Sequence, residues 1–159
     1  MKAKEILTGL GGFILWGVIT IVGLSIAAFF IYGTAWASTK LLPWFSILTW
    51  IAFSLVILIL LPLAIPKATR GFSSTALFVA SYVFGATLWM EGFLITYSIW
   101  GVKGVFIGLV MGGIGVIPIA ILATILNGMW LFVIELVVLI ILTFGCRFGS
   151  ITLMGSLEE

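Results

Sequence analysis

Three charged residues lie inside long apolar stretches of this 159-residue chain. Glu91 lies within residues 74–100, whereas Glu135 and Arg147 lie near the two ends of residues 130–153. A charged side chain inside a membrane span is costly, so it has either a partner or a function. A partly buried glutamate can bind a cation or exchange a proton near neutral pH. Glu91 therefore indicates ion or proton binding, or an internal ion pair with Arg147.

The helical neighbours of Glu91 are partly polar. At 100° per residue, Thr87 and Ser98 fall within about 40° of Glu91. We expect this stripe to face the interior of a helix bundle, with Thr87 and Ser98 beside the carboxyl group.

The residue types that are missing exclude several kinds of site. The chain has no histidine, aspartate or glutamine, Asn127 is its one amide side chain and Cys146 its one cysteine. Histidine-based triads, histidine metal sites and haem-binding histidine pairs are excluded. We therefore expect no metal site and no cofactor. An intramembrane or lipid-modifying enzyme is the least favoured function, since only a glutamate with Tyr97 or Ser98 could transfer protons and nothing in their spacing requires it. The net charge of +2 is too small and scattered to indicate a nucleic-acid partner.

The composition is that of a membrane protein. Apolar residues make up 64% of the chain and charged residues 8%, against about 25% charged in a soluble domain. So few charges cannot cover a water-soluble surface, so the exterior must face lipid. The lipid bilayer is therefore the first expected partner.

Five apolar stretches are long enough to cross a bilayer, which takes about 20 residues each. The chain is accordingly predicted to be all-α, a polytopic transmembrane helix bundle in one domain, residues 1–154. The predicted spans are residues 10–37, 44–65, 74–100, 105–126 and 130–153. Residues 38–43 form a polar break between the first two, and Ser73 or Ser74 is a credible N-cap of the third. Residues 155–159 resemble the start of a vector-encoded linker and are set aside.

The fourth predicted span is rich in glycine. Gly104, Gly108 and Gly112 repeat every four residues and Gly115 continues the same face, a pattern that lets another helix approach closely. Packing within the chain is favoured over a dimer face or a hinge. Pro118 should kink the helix and is the hinge candidate.

An alternative leaves only four spans. If residues 105–126 formed a re-entrant hairpin broken at Pro118, Arg147 would move to the inner side of the membrane. Five spans are preferred because this segment is long enough to cross and irregular backbone is not tolerated in lipid.

Basic residues give the orientation. Positive residues favour the cytoplasmic side of a membrane. The N-terminus and the loop after the second span carry four of them, Lys2, Lys4, Lys67 and Arg70, whereas the other side would carry two, Lys40 and Lys103. We expect an integral protein of a prokaryotic plasma membrane, with its N-terminus in the cytoplasm.

Five spans would make the third and fifth parallel. Glu91 and Arg147 would then lie at one depth, about 25 Å from the inner end, as an ion pair. Glu135 would lie about 8 Å from that end, within reach of Lys67 or Arg70.

Two functions of different classes follow. The first is a small transporter or channel subunit for an ion or small solute, in which Glu91 binds a proton or cation and Arg147 sets its charge state. The second is a structural or regulatory subunit, in which the charged pair fixes helix register and the glycines form a docking face. Either suits a homo-oligomer or a larger membrane complex.

Overall fold

The computed structural model describes residues 2–155, and the side chains of residues 12–155. This part of the chain forms helices and turns and no strand. The α-helices are α1 (Lys2–Leu55), α2 (Leu61–Leu63), α3 (Arg70–Val110), α4 (Val116–Leu126) and α5 (Trp130–Gly155). A π-helical turn, Val56–Leu60, joins α1 to α2, and a 3-10 turn, Lys67–Thr69, precedes α3. The chain divides into two compact units, residues 1–34 and residues 35–159.

Three stretches of the described residues are long and apolar enough to cross a membrane. They are Gly12–Leu63, Lys67–Val110 and Trp130–Gly155. Val116–Leu126 is apolar but has only 11 residues. The all-helical membrane fold is therefore supported, whereas the predicted count of five spans is not confirmed.

The first unit is the N-terminal part of α1. Its side chains from residue 12 onward are mostly exposed and apolar, with Phe13 81% and Trp16 72% exposed. A methyl group added at Gly12, Gly17 or Gly23 would meet no atom within 4 Å. An exposed apolar surface of this size is favourable in contact with lipid, whereas in water it would promote aggregation.

The predicted polar break at residues 38–43 does not interrupt the backbone. These residues lie inside α1, with Pro43 in the helix interior. Thr39 donates its hydroxyl proton to the Trp36 carbonyl oxygen at 2.7 Å, so its polarity is satisfied within the helix. Helix interiors in membranes tolerate proline because neighbouring groups satisfy the freed backbone. The prediction of a break between two helices at residues 38–43 is therefore wrong.

In the second unit α3 and α5 pack side by side and run antiparallel. Near the start of α3, Ser74 donates a hydrogen bond to the Ser150 carbonyl oxygen at 2.9 Å, close to the end of α5. Further along, a methyl added at Gly85 would lie 3.4 Å from the Thr143 methyl group. Residue numbers rise along one helix as they fall along the other. The prediction of parallel third and fifth spans is therefore wrong.

The C-terminal part of α1 lies against α3, also antiparallel. The hydroxyls of Thr49 and Thr87 are 2.7 Å apart, and Ser73 donates to the Leu60 carbonyl oxygen at 2.7 Å. Ser73 and Ser74 are thus buried between helices, and α3 already begins at Arg70, so neither is the predicted N-cap. The buried core joins α3 and α5 with the π-helical turn and with Ala120 of α4, and Cys146 lies in it among apolar side chains.

Within α3 the chain reverses at Gly101. This residue has φ 64° and ψ −156°, a conformation that glycine adopts without a steric penalty. A methyl added at Gly104 would lie 3.2 Å from the Thr96 methyl group, so the part of α3 after Gly101 starts folded back against the part before it.

A second reversal leads into α4. Gly112 and Gly113 have φ of 87° and 76°, and the indole nitrogen of Trp89 donates to the Gly113 carbonyl oxygen at 3.1 Å. Thr96 donates to the Val116 carbonyl oxygen at 3.3 Å, so α4 also packs on α3. Residues 101–129 therefore leave and return at one end of the α3–α5 pair. A hairpin in this segment is the part of the re-entrant alternative that the structure reproduces, with the break at glycine rather than at Pro118. The two spans that this alternative counted before α3 are instead one continuous helix.

Pro118 is not the hinge that the sequence predicted. It lies in the first turn of α4, where its missing N–H would have no acceptor within the helix. The chain breaks instead at Gly112 and Gly113, because left-handed backbone is open to glycine and closed to proline.

The four glycines expected on one face do not share one. Gly112 is in the turn, whereas Gly104, Gly108 and Gly115 are buried inside the hairpin. A methyl at Gly108 would lie 2.9 Å from the Val116 Cα, and one at Gly115 would lie 2.8 Å from the Gly108 carbonyl oxygen. They permit close contact within the chain, the use that the sequence favoured over a dimer face.

Candidate functional site

Two adjoining cavities in the second unit share three polar lining residues, Ser46, Glu91 and Glu135. The first cavity has a volume of about 230 Å³ and the second about 340 Å³. The two carboxyl groups lie where the cavities meet. This junction is the candidate site.

Each acid is placed by the antiparallel helices. α3 carries Glu91 about two-thirds of the way along its first straight part, residues 70–100, and α5 carries Glu135 in its second turn. Gly85 of α3 lies level with Thr143 of α5. Since the helices are antiparallel, Glu91, six residues after Gly85, comes close in height to Glu135, eight residues before Thr143. A parallel pair could not have brought the two acids to one level. Ser46 arrives from α1, one turn before the Thr49 hydroxyl that contacts α3.

The first cavity extends from the acids toward the middle of the bundle. Its other polar residues are Thr49 and Thr87, whose hydroxyls contact each other. Its remaining walls are apolar or aromatic, formed by Trp50, Phe53, Val138, Leu139 and Leu142.

The second cavity extends from the acids toward the tryptophan end, which we define by Trp100 and Trp130. It is lined by Ser98 and Ile99 from the last turns before Trp100, and by Met129 beside Trp130. Glu135 is five residues from Trp130, about 8 Å along the helix axis. The acids therefore lie about two turns from the tryptophan end, and the second cavity leads from them toward that end.

The carboxyl group of Glu91 has one oxygen without a partner. Oε2 is buried and makes no hydrogen bond within the described residues. The side chain as a whole is partly buried, whereas Glu135 is exposed on the flank of the bundle. A buried carboxylate oxygen with no donor costs several kcal/mol unless a proton or a cation supplies the counter-charge. Glu91 thus lacks a partner where the expected counter-ion would be.

Arg147 is not that counter-ion, which corrects the predicted ion pair. Its guanidinium carbon lies 5.5 Å from the ring centre of Tyr82 and 5.6 Å from that of Phe78, a cation–π arrangement. Tyr82 is nine residues before Glu91, about 13 Å along α3. Because α5 is antiparallel to α3 and not parallel as predicted, Arg147 and Glu91 lie toward opposite ends of the helix pair.

Glu135 is likewise far from the basic residues that were expected to reach it. Arg70 donates from Nε to the Ala64 carbonyl oxygen and from Nη2 to that of Ile65, both at 3.3 Å. Lys67 and Arg70 lie at the start of α3, and Glu135 lies near the start of the antiparallel α5. For the same reason Trp130, at the start of α5, lies at the same end of the α3–α5 pair as Trp100.

Of the residues predicted to accompany Glu91, Thr87 lines the first cavity and Ser98 the second. Sequence reasoning missed Glu135 and Ser46 as members of this site, and also Trp50. A usable signal for Glu135 was that it is the only other acid within a predicted span. Nothing in the local pattern identified Ser46, because its place depends on how α1 packs against α3.

The donor set does not resemble a metal centre. Within the described residues no group of three or more histidine, cysteine, aspartate or glutamate side chains converges. Two carboxyl groups with hydroxyls nearby can hold a proton, a monovalent cation or a positively charged organic group. Comparison of the chain with protein-family models, with curated proteins and with solved structures gives no match.

Proposed function

We propose that this membrane protein is a small transporter, or a transporter or channel subunit, that binds its cation or proton at Glu91 and Glu135. The observation that carries the proposal is the buried Glu91 oxygen without a donor, at the junction of two cavities. A purely structural acid would be expected to have a fixed partner, because an unpaired buried charge is destabilising. A ligand-binding acid is left unpaired so that its ligand can complete the site.

The two cavities supply the other requirement of a transport site, which is access. The second leads from the acids toward the tryptophan end, and the first leads deeper into the bundle. The Thr49–Thr87 contact lies along the first cavity. If the Thr49 and Thr87 hydroxyls moved apart, the first cavity would extend from the acids further into the bundle.

The basic residues suggest which end faces the cytoplasm. Lys67, Arg70 and Arg147 lie toward the end opposite the tryptophans, which we call the basic end, whereas Lys40 and Lys103 lie toward the tryptophan end. Positive residues favour the cytoplasmic side. The second cavity would then open toward the outside of the cell.

Flux measurements test the proposal. Purified protein in proteoliposomes should carry protons, Na⁺, K⁺ or an organic cation, and Glu91→Gln should reduce this flux to that of empty vesicles. Glu91→Asp should keep partial flux because it retains the carboxyl group. Ser54→Ala is the matched control, because its hydroxyl bonds the Trp50 carbonyl oxygen and lines neither cavity. Equal flux with wild type and Glu91→Gln would remove Glu91 from the mechanism.

One observation favours a second candidate, a structural or regulatory subunit of a membrane complex. Glu135 is exposed on an otherwise apolar flank, where a basic residue of another membrane chain could pair with it. In that case Glu135→Gln should release a co-purifying membrane protein, and no solute should cross vesicles made with this chain alone. Flux by the isolated chain would contradict the subunit role.

A further inference from the structure

We infer that the ligand of this site is an organic cation with an apolar body, and that it enters from the membrane side. This inference rests on the proposed function and specifies its substrate class. It is carried by the walls of the first cavity, by the indole ring of Trp50, and by the position of the opening.

The walls separate charge from apolar surface. Glu91 and Glu135 lie at one end of the first cavity. Beyond them its walls are mostly apolar or aromatic, and the Thr49 and Thr87 hydroxyls there are hydrogen-bonded to each other. A hard metal ion prefers to be surrounded by oxygen atoms, typically six or more. Here the acids face carbon and aromatic rings, which suit a ligand that carries its positive charge on a hydrocarbon frame.

Trp50 offers a binding surface for the positive end of such a ligand. Its ring is held edge-to-face by Phe53, with the ring centres 6.1 Å apart and the planes at 86°. Trp50 is nevertheless 71% exposed, so its ring remains open to a ligand. Tryptophan is the most favourable aromatic side chain for cation–π contact, and acids beside it add charge attraction.

The opening of the cavity lies on the flank of the bundle. Trp50 on α1 and Val138 on α5 are both exposed and line the cavity from opposite sides, with Glu135 exposed beside them. In a membrane protein this flank faces hydrocarbon, so a ligand that partitions into the bilayer reaches the acids directly. A strongly hydrated inorganic ion does not take that route.

The available volume agrees with a small organic molecule. Pockets for such ligands have volumes of about 300–1,000 Å³. The second cavity, at about 340 Å³, is in this range, and it adjoins the first at the acids. A cation held at Glu91 therefore has room for its apolar body on either side.

Binding to the full chain in lipid nanodiscs tests the inference. The probe is benzyltrimethylammonium, measured by equilibrium dialysis against two analogues. Tetramethylammonium has the charge without the body, and neopentylbenzene has the body with carbon in place of the charged nitrogen. We expect saturable binding of the probe and at least tenfold weaker binding of each analogue.

Two pairs of variants assign the binding to the site. Glu91→Gln should abolish binding, while Glu91→Asp should keep it and thereby show that the fold is intact. Trp50→Leu should weaken binding about 2- to 30-fold, the range that cation–π contacts provide. Trp44→Leu is the matched control and should bind as wild type, because Trp44 is on the same helix, is 69% exposed and lines neither cavity.

The outcomes separate this inference from the proposed function. Glu91-dependent flux of protons, Na⁺ or K⁺ with no binding of benzyltrimethylammonium would overturn the inference and leave the proposed function standing. Equal affinity for the neutral analogue, or equal affinity of the Trp50 and Trp44 variants, would also overturn it. No binding and no flux of any solute would remove both, as would a co-purified chain that occupies the flank.

Discussion

The hairpin formed by residues 101–129 depends on Gly108, and its replacement by alanine gives the sharpest test of the fold. A methyl group there would lie 2.9 Å from the Cα and from a methyl carbon of Val116, and 3.0 Å from its backbone nitrogen. Two of these three atoms are backbone, so the neighbour cannot rotate away. Overpacking of this kind costs about 1–3 kcal/mol.

The matched control is Gly145→Ala on α5. An added methyl there meets no atom within 4 Å. Both glycines are helical, so both replacements gain the same helix propensity of about 1 kcal/mol. The difference between the two variants therefore reports the steric clash alone, about 1–3 kcal/mol, or about 5- to 150-fold in the folded-to-unfolded ratio.

Reversible unfolding in mixed micelles, with denaturing detergent increased stepwise, measures this difference. We expect Gly145→Ala to be neutral or slightly stabilising and Gly108→Ala to be destabilised relative to it. Free energies of unfolding that agree within about 0.5 kcal/mol would show that Gly108 does not contact Val116. The turn at residues 111–115 would then not form, and residues 105–126 would again be a candidate for a continuous span.

Two further predictions test the remaining helix pairs. In a Cys146→Ser background, cysteines at Ala68 and Thr152 should react with a membrane-impermeant thiol reagent from the same side of sealed vesicles, because α3 and α5 are antiparallel. Labelling of the two from opposite sides would contradict the antiparallel arrangement of α3 and α5. A double-mutant cycle with Thr49→Val and Thr87→Val should give a coupling of about 0.5–1.5 kcal/mol in unfolding free energy, the contribution of their 2.7 Å hydrogen bond. Additive effects of the two substitutions would indicate that α1 and α3 are not joined there.

The sequence was most informative where a local property decides the structure. Apolar stretches with few charges predicted membrane helices, because backbone groups in lipid must be satisfied within the helix. Glu91 could be recognised as exceptional without any structure, since a charge in such a stretch is costly wherever the helix lies. Of its neighbours on the same helix, Thr87 is buried and lines the first cavity, and Ser98 lines the second but is exposed.

A prediction failed where several nearby residues could each have ended the helix. Gly112, Gly113 and Pro118 all disfavour a helix, and the sequence pointed to the proline as the break. The structure places the reversal at the two glycines, which alone can adopt positive φ, and leaves Pro118 in a first turn where it costs little. Which residue breaks the helix depends on Trp89 and Thr96 of α3, which bond the turn and the start of α4.

The sequence by itself determined that the chain is helical, that it is built for lipid, and that Glu91 needs a counter-charge. Only the tertiary structure decided which residue stands beside that acid. Because α5 runs antiparallel to α3, Glu135 and not Arg147 lies level with Glu91. The structure therefore has two acids beside a cavity where an ion pair was expected. The physical reason is that helix periodicity places side chains on a face and at a height, whereas the direction of the neighbouring helix is set by distant contacts such as Ser74 with Ser150.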